Sequence, residues 1–244
     1  MKLDILAIGV HPDDIELGCS GTILNEVKKG KKVGIIDLTQ GELGTRGTIE
    51  TRQQEAADAA KIMGVLVREN LKMRDGFFAN DEQHQLQLIR AIRQYQPEII
   101  LGNALEDRHP DHGRAGKLIE DAAFLAGLVK IETFNEAGQP QLRWRPKYVL
   151  QYIQDRLLEP DLIIDITSVF EEKIRSIEAY ATQFFSTAAG EGPQTYISTP
   201  DFREGIIARA RMMGKRIGVK YAEGFNSQKS LGITGLDALI QIET

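Results

Sequence analysis

The sequence predicts an α/β protein built on a parallel sheet with helices on both faces. Two observations predict it. Short apolar runs alternate with amphipathic runs of helical length through the first half of the chain, the pattern that pairs strands in parallel through crossover helices. The second half continues with strands and helices in less regular order, with no repeat, low-complexity tract or linker. Residues 1–244 therefore read as a single domain.

Each element follows from local chemistry. Residues 5–10 are apolar, short and ended by a Pro-Asp turn, which reads as a buried strand. Residues 16–29 place Leu17, Ile23, Leu24 and Val27 at helical spacing. Residues 33–38 form a second strand, and the glycine-rich residues 39–48 a loop. A helix is expected over 49–63, with Gly64 as its C-cap. A third short strand follows over 65–68, then a helix over 82–95 with Leu86, Leu88, Ile89 and Ile92 inward, and a fourth strand over 99–101. A polar loop leads into a helix over 110–125. Residues 135–145 hold Gly138 and Pro140 and read as a turn or long hairpin; strands follow over 148–153 and 161–166. Thr167 or Ser168 is expected to cap a helix reaching residue 185, with a small-residue loop over 187–192. Thr199-Pro200-Asp201, with Glu204 behind, starts a last helix that ends near Gly218.

Composition narrows the function. The formal net charge is −5 and no basic block occurs, which argues against a nucleic-acid partner. The single cysteine, Cys19, excludes an internal disulfide and any multi-cysteine metal site. No run approaches the roughly 20 apolar residues that span a bilayer, and the first residues lack an export-signal pattern. A soluble cytoplasmic enzyme without a membrane partner is expected.

One device occurs twice. His11-Pro12-Asp13-Asp14 follows the first strand, and His109-Pro110-Asp111-His112 follows the fourth; each leads into a helix. Both therefore lie at the carboxyl edge of the sheet, where such folds bind ligands. Proline suits the first helical position and stiffens the turn. One such turn is usually just a capped helix start. Two, holding three of the four histidines, suit a catalytic metal, which commonly takes three His or carboxylate ligands and leaves a position for water. His11, Asp14 and His112 supply that set for one zinc ion per chain. Asp13 is left as general base, and His109 as general acid or oxyanion stabiliser with Asp111 orienting its ring. Residues 41–47 face the same edge but lack the Lys-Ser/Thr ending of a phosphate loop. On spacing alone, Arg52 is a solvated helix charge and Asp75 a turn residue. Arg203, Arg209 and Arg211 are candidates for holding a carboxylate, although a run of arginines on one helix more often forms a charged face.

The strings GVHPDDIELGCSGT and EDRHPDHGRAG resemble the two metal motifs of the PIG-L/LmbE family of zinc-dependent N-acetylglucosamine deacetylases. DLTQGELGTRGT, LGNALEDRHPDH, TYISTPDFREGIIARA and GVKYAEGF look like its bacillithiol biosynthesis branch, over nearly the whole chain. The resemblance implies a Rossmann-like sheet with an elaborated C-terminal part, zinc on His11, Asp14 and His112, Asp13 as base and His109 beside the transition state. It implies that Arg52 and Asp75 bind sugar hydroxyls, and that Glu42 and Tyr196 lie near the substrate. The implied reaction converts N-acetylglucosaminyl malate to glucosaminyl malate and acetate, in a homo-oligomer that is a hexamer in some relatives. Two positions depart from the family pattern: Val10 stands where alanine is common, and Thr182-Gln183 where many relatives have Ser-Gln. The rival readings are a deacetylase or thiol-conjugate amidase of the same family acting on another N-acylated glycoside, and a sugar- or nucleotide-binding module without catalysis. No GxGxxG follows the first strand, which weakens the last.

Overall fold

The computed structural model describes residues 1–184 and 193–239. Strand β1 (Ile5–Gly9) lies between β2 (Val33–Thr39) and β4 (Ile99–Asn103) and is parallel to both. Strand β3 (Val67–Met73) extends the sheet beyond β2, and β5 (Tyr148–Tyr152) beyond β4, again in parallel. Strand β7 (Ala222–Asn226) then runs antiparallel between β5 and β6 (Leu162–Asp165), so the seven strands follow the order β3-β2-β1-β4-β5-β7-β6. The order reverses between β1 and β4. A crevice opens there at the carboxyl ends of the strands.

The sheet is apolar on both faces because helices cover both. Ile5 and Ala7 of β1 pack with Ile15, Leu17 and Ile23 of α1 (Asp14–Lys28) and with residues of α2 (Ile49–Met63) and α5 (Phe170–Glu178). Leu6 and Ile8 point the other way, onto α3 (Glu82–Tyr95) and α4 (Pro110–Leu125). The last helix, α6 (Pro200–Ile217), ends at Gly218 and packs on β6 and β7. Cys19 is fully buried among the apolar residues of α1. Among the described residues, no helix is long and apolar enough to cross a membrane.

Several expectations are corrected. The third strand runs over Val67–Met73 rather than 65–68. It is a half-exposed edge strand, and Arg68, Glu69, Asn70 and Lys72 mask it. The Arg68 side chain turns inward and grips Asp37 with two bonds of 2.8 Å. Helix α5 ends at Glu178 instead of residue 185, and neither Thr167 nor Ser168 caps it. The Thr167 hydroxyl instead bonds the backbone of Tyr221. Residue 185 and the loop expected over 187–192 lie outside the described residues. Strand β7 is unexpected, since Glu223 and Gly224 interrupt its apolar pattern.

Glu223 explains itself in three dimensions. Its buried carboxylate accepts bonds from Gly21 N–H (2.9 Å), Thr22 N–H (2.7 Å) and the Thr22 hydroxyl (2.6 Å). It also pairs at 2.8 Å with the equally buried Lys173 ammonium, which donates to the carbonyls of Glu16 and Leu17. The pair ties α5 and β7 to the middle of α1. Removing one partner strands a buried charge. Glu223→Ala is therefore expected to destabilise the fold by about 3–5 kcal/mol, measured by urea unfolding; a loss below about 1 kcal/mol would contradict this role.

Candidate metal centre

The chain leaves β1 through His11, Pro12 and Asp13, and α1 starts at Asp14. The Asp14 carboxylate folds back over this turn. Its Oδ2 accepts from the N–H groups of Val10 and His11, both at 3.0 Å, and from the Asn103 amide at the end of β4 at 3.3 Å. Its Oδ1 accepts from Gln154, just past β5, at 2.8 Å. Burial alone would raise its pKa. His112, His11 and Gln154 overcome that and hold the carboxyl well below the usual range.

The two His-Pro-Asp turns differ. In the second, Pro110 is the first residue of α4, and His109 is the N-cap whose ring nitrogen accepts from Asp111 N–H at 3.3 Å. In the first, Pro12 is not a helical residue, contrary to expectation, because Asp13 adopts φ 135°. A non-glycine residue in this region costs about 1–3 kcal/mol and needs surroundings that impose it. Arg52 of α2 is that constraint. It is 5% exposed, and its guanidinium donates to Pro12 O (2.9 Å), Asp13 Oδ2 (3.3 Å) and Gly41 O (3.1 Å). A Cβ on Gly41 would lie 2.0 Å from Arg52 Nη1, so only glycine admits the arginine there.

His112 Nε2 lies 3.2 Å from Asp14 Oδ1, and its Nδ1 lies 2.6 Å from Asp107 Oδ2. Asp107 in turn accepts from the N–H groups of Arg108 and Arg156. His11 Nδ1 lies 3.7 Å from Asp14 Oδ2, with Nε2 3.0 Å from Asp75 Oδ1. Donor atoms of His11, Asp14 and His112 fall within 4.8 Å of one another. Burial would lower the His112 pKa, yet Asp14 and Asp107 raise it to about 10. The field that favours a charged ring also favours a metal cation in its place. Two imidazoles and one carboxylate, with the far nitrogen of His112 fixed by Asp107, fit a divalent ion.

These residues line a cleft of about 390 Å³, together with Asp13, Arg52, Asp75, Arg108, His109 and Tyr196. Burial pushes the Asp13 carboxyl up to about 7, against the pull of Arg52. His109 shifts in the opposite direction. Burial, His11 and His112 lower its pKa and outweigh Asp111. Nor does the Asp111 carboxylate bond the His109 ring, because Gly76 N–H and Arg114 hold it at 2.8 and 2.7 Å. Asp75 takes Leu43 N–H as well as His11, and Glu42, itself exposed, accepts Asp75 N–H at 2.8 Å. Tyr196 stands at the rim, its hydroxyl on Asp155 and its ring beneath Arg108. Of the three candidate arginines in α6, Arg203 pairs with Glu178 in solvent and Arg211 is exposed, whereas Arg209 reaches Asp155 at 3.5 Å in a small recess with His109 and His112. Sequence reasoning missed Asp107, Asn103 and Gln154. Asp107 stands two residues before His109, and the other two end or follow strands, so the edge rule pointed at them.

Comparison with known proteins places the chain among deacetylase-like sequences and folds. Residues 6–123 match the family described as PIG-L, GlcNAc-PI de-N-acetylase. A conserved protein of Thermus thermophilus has a solved structure with a TM-score of 0.82 and 34% identity, covering 95% of this chain and 98% of that one. Diacetylchitobiose deacetylase of Thermococcus kodakarensis is 28% identical over 90% of this chain and 81% of its own. The probable N-acetyl-alpha-D-glucosaminyl L-malate deacetylase 2 of Bacillus subtilis is 27% identical over 75% of this chain and 84% of its own. A 4-oxalmesaconate hydratase of Pseudomonas putida is 26% identical over 91% and 88%. If Asp107 orients a metal-binding His112, Asp107→Asn should weaken metal affinity by about 10–100-fold in equilibrium dialysis while the circular dichroism spectrum stays unchanged. Unchanged affinity would remove Asp107 from the centre.

Proposed function

This chain belongs to the PIG-L family of metal-dependent carbohydrate N-deacetylases, and from that premise we propose that it hydrolyses the acetamide of N-acetylglucosaminyl malate, giving glucosaminyl malate and acetate. The observation that carries the reading is that Asp13 and the His11, Asp14 and His112 donors face one cleft, base beside ligands. His11, Asp14 and His112 would hold the ion, with zinc the metal their donor set suits. When bound, a divalent ion there supplies Lewis acidity, making a water easier to deprotonate near neutral pH and polarising the acyl oxygen.

The chain's own residues do the rest. Asp13 takes the proton of the attacking water, and its raised pKa lets it give that proton to the departing amine. Arg52 keeps the Asp13 carboxylate and the strained backbone beneath it in place. His109 packs edge-on against His11, with ring centroids 4.9 Å apart. Since its charged form is disfavoured, it acts as a neutral hydrogen-bond donor to the oxygen on which negative charge develops. Asp111 fixes the start of α4 through Gly76 and Arg114 and so positions His109 indirectly. Asp75 orients His11 and, with Glu42 behind it, shapes the sugar side of the cleft. A malate group is favoured over a neutral aglycone because Arg108 at the cleft and Arg209 in the recess beside it share Asp155 as their carboxylate partner among the described residues.

The hydratase relative supports a second reading, in which the same centre adds water to a carbon–carbon double bond. An amine-release assay separates the two. The zinc-loaded protein is expected to release amine from N-acetylglucosaminyl malate faster than from free N-acetylglucosamine or diacetylchitobiose. Equal rates would remove the malate assignment, and no amine from any of them would favour the hydratase. Asp13→Asn should retain zinc and lose about 10²–10⁴-fold in kcat, and full activity would refute the base. Arg52→Lys cannot reach all three acceptors. It should lower kcat with little change in KM, whereas a raised KM alone would make Arg52 a substrate ligand.

A further inference from the structure

The start of α1 is built unlike that of a capped helix. Asp13-Asp14-Ile15-Glu16 has the pattern of a capping box, in which the cap side chain accepts from the N–H three residues on and a glutamate there reaches back to the cap N–H. Among the described residues Asp13 makes no such bond. At φ 135° its backbone turns the carboxylate into the cleft, where Arg52 takes it. Glu16 is diverted as well. Arg68 Nη1, from edge strand β3, donates to its Oε1 at 2.6 Å, and the Tyr180 hydroxyl donates to the same oxygen at 3.2 Å. Arg68 is anchored in turn by Asp37 on β2 and by the Ala56 carbonyl of α2 at 3.3 Å. Glu16 is fully buried, and its Oε2 has no hydrogen-bond partner among the described residues. A buried carboxylate bonded through one oxygen is a poor way to stabilise a helix, and departures of that kind gather at functional sites.

We propose that Arg68 is a positioning residue for the reaction: by drawing Glu16 away from the start of α1 it holds the capping box open and leaves the Asp13 carboxylate to the cleft. The two halves of the box are thus held apart by two arginines. Arg52 takes the cap residue, and Arg68 takes the glutamate that would otherwise reach back and close the turn. Released from Arg68, Glu16 can bond the Asp13 N–H, and the Asp13 carboxylate can fold onto the Glu16 N–H. The base would then point along the helix start instead of into the cleft. The loss of rate that follows rests on the role given to Asp13 above; the closing of the box does not.

Arg68→Lys in the full-length, zinc-loaded protein tests this. Lysine keeps a charge for Asp37 but lacks the fork that serves Asp37 and Glu16 together. In the amine-release assay kcat should fall by about 10²-fold, the cost of misplacing a reacting group by an ångström, with KM and zinc content little changed. Arg68→Gln should act in the same direction, so a folding defect in one variant does not decide the matter. Adding Glu16→Ala to Arg68→Lys removes the residue that closes the box and should restore most of the lost kcat, while Glu16→Ala by itself should stay near the wild type. A purely structural role for Arg68 predicts the reverse, a double variant at least as impaired as the single one. Wild-type kcat in Arg68→Lys overturns the proposal, as does a loss that Glu16→Ala fails to restore. A crystal structure of Arg68→Lys gives a reading independent of activity. The Asp13 carboxylate should accept from the Glu16 N–H there, and an Asp13 still at φ 135° overturns the proposal. Failure of the deacetylase reading looks different: the wild type itself releases no amine, while that structure still decides whether the box has closed.

Discussion

Asp14 is a carboxylate taken out of water, and four donors make that possible. Val10 and His11 give it their backbone N–H groups, Asn103 reaches it from the end of β4, and Gln154 reaches it from beyond β5. A buried carboxylate without such partners is costly enough to unfold its surroundings. The same bonds therefore close the turn after β1, clamp the two central strands at their carboxyl ends and fix the direction from which the remaining lone pairs can be approached. His11 and His112 occupy that direction. The sheet's reversal point and the His11, Asp14 and His112 donor cluster are thus one arrangement.

Around that carboxylate, the protein tolerates arrangements that a stable fold would otherwise avoid. Asp13 is held at φ 135° by an arginine whose guanidinium is buried against Gly41, and its carboxyl is pushed up to about 7 by its own burial. The compensation lies one layer below, where Lys173 and Glu223 lock the middle of α1 to α5 and β7. α1 carries Asp14 at its first residue and this buried ion pair at its centre. A rigid helix is what allows a strained residue to sit at its start.

The sequence was readable where side-chain pattern and structure coincide. The apolar runs of β1, β2 and β4, the Gly64 C-cap of α2 and the starts of α4 and α6 obey local rules, and the two His-Pro-Asp turns stand where the strand-edge rule places them. It was unreadable where a long-range partner decides. Edge strand β3 is polar because Arg68 turns inward to Asp37. Strand β7 carries Glu223 because Lys173, 50 residues away, answers it. In the site, residue type pointed to the imidazoles and carboxylates, but it could not say which carboxylate faces which ring. Asp107, not Asp111, backs a histidine, because the loop before α4 folds Asp107 onto His112, while Asp111 turns toward Gly76 and Arg114. Arg52 looked like a surface charge, and its burial depends on a glycine 11 residues earlier.

The central claim is that Asp14 assembles a two-imidazole, one-carboxylate centre. X-ray absorption at the zinc edge, on protein carrying one equivalent of zinc, tests it most directly. The account predicts scattering from two imidazoles with otherwise light-atom ligands, and the loss of one imidazole in His112→Ala. A sulfur ligand, or an imidazole count unchanged by His112→Ala, would contradict it.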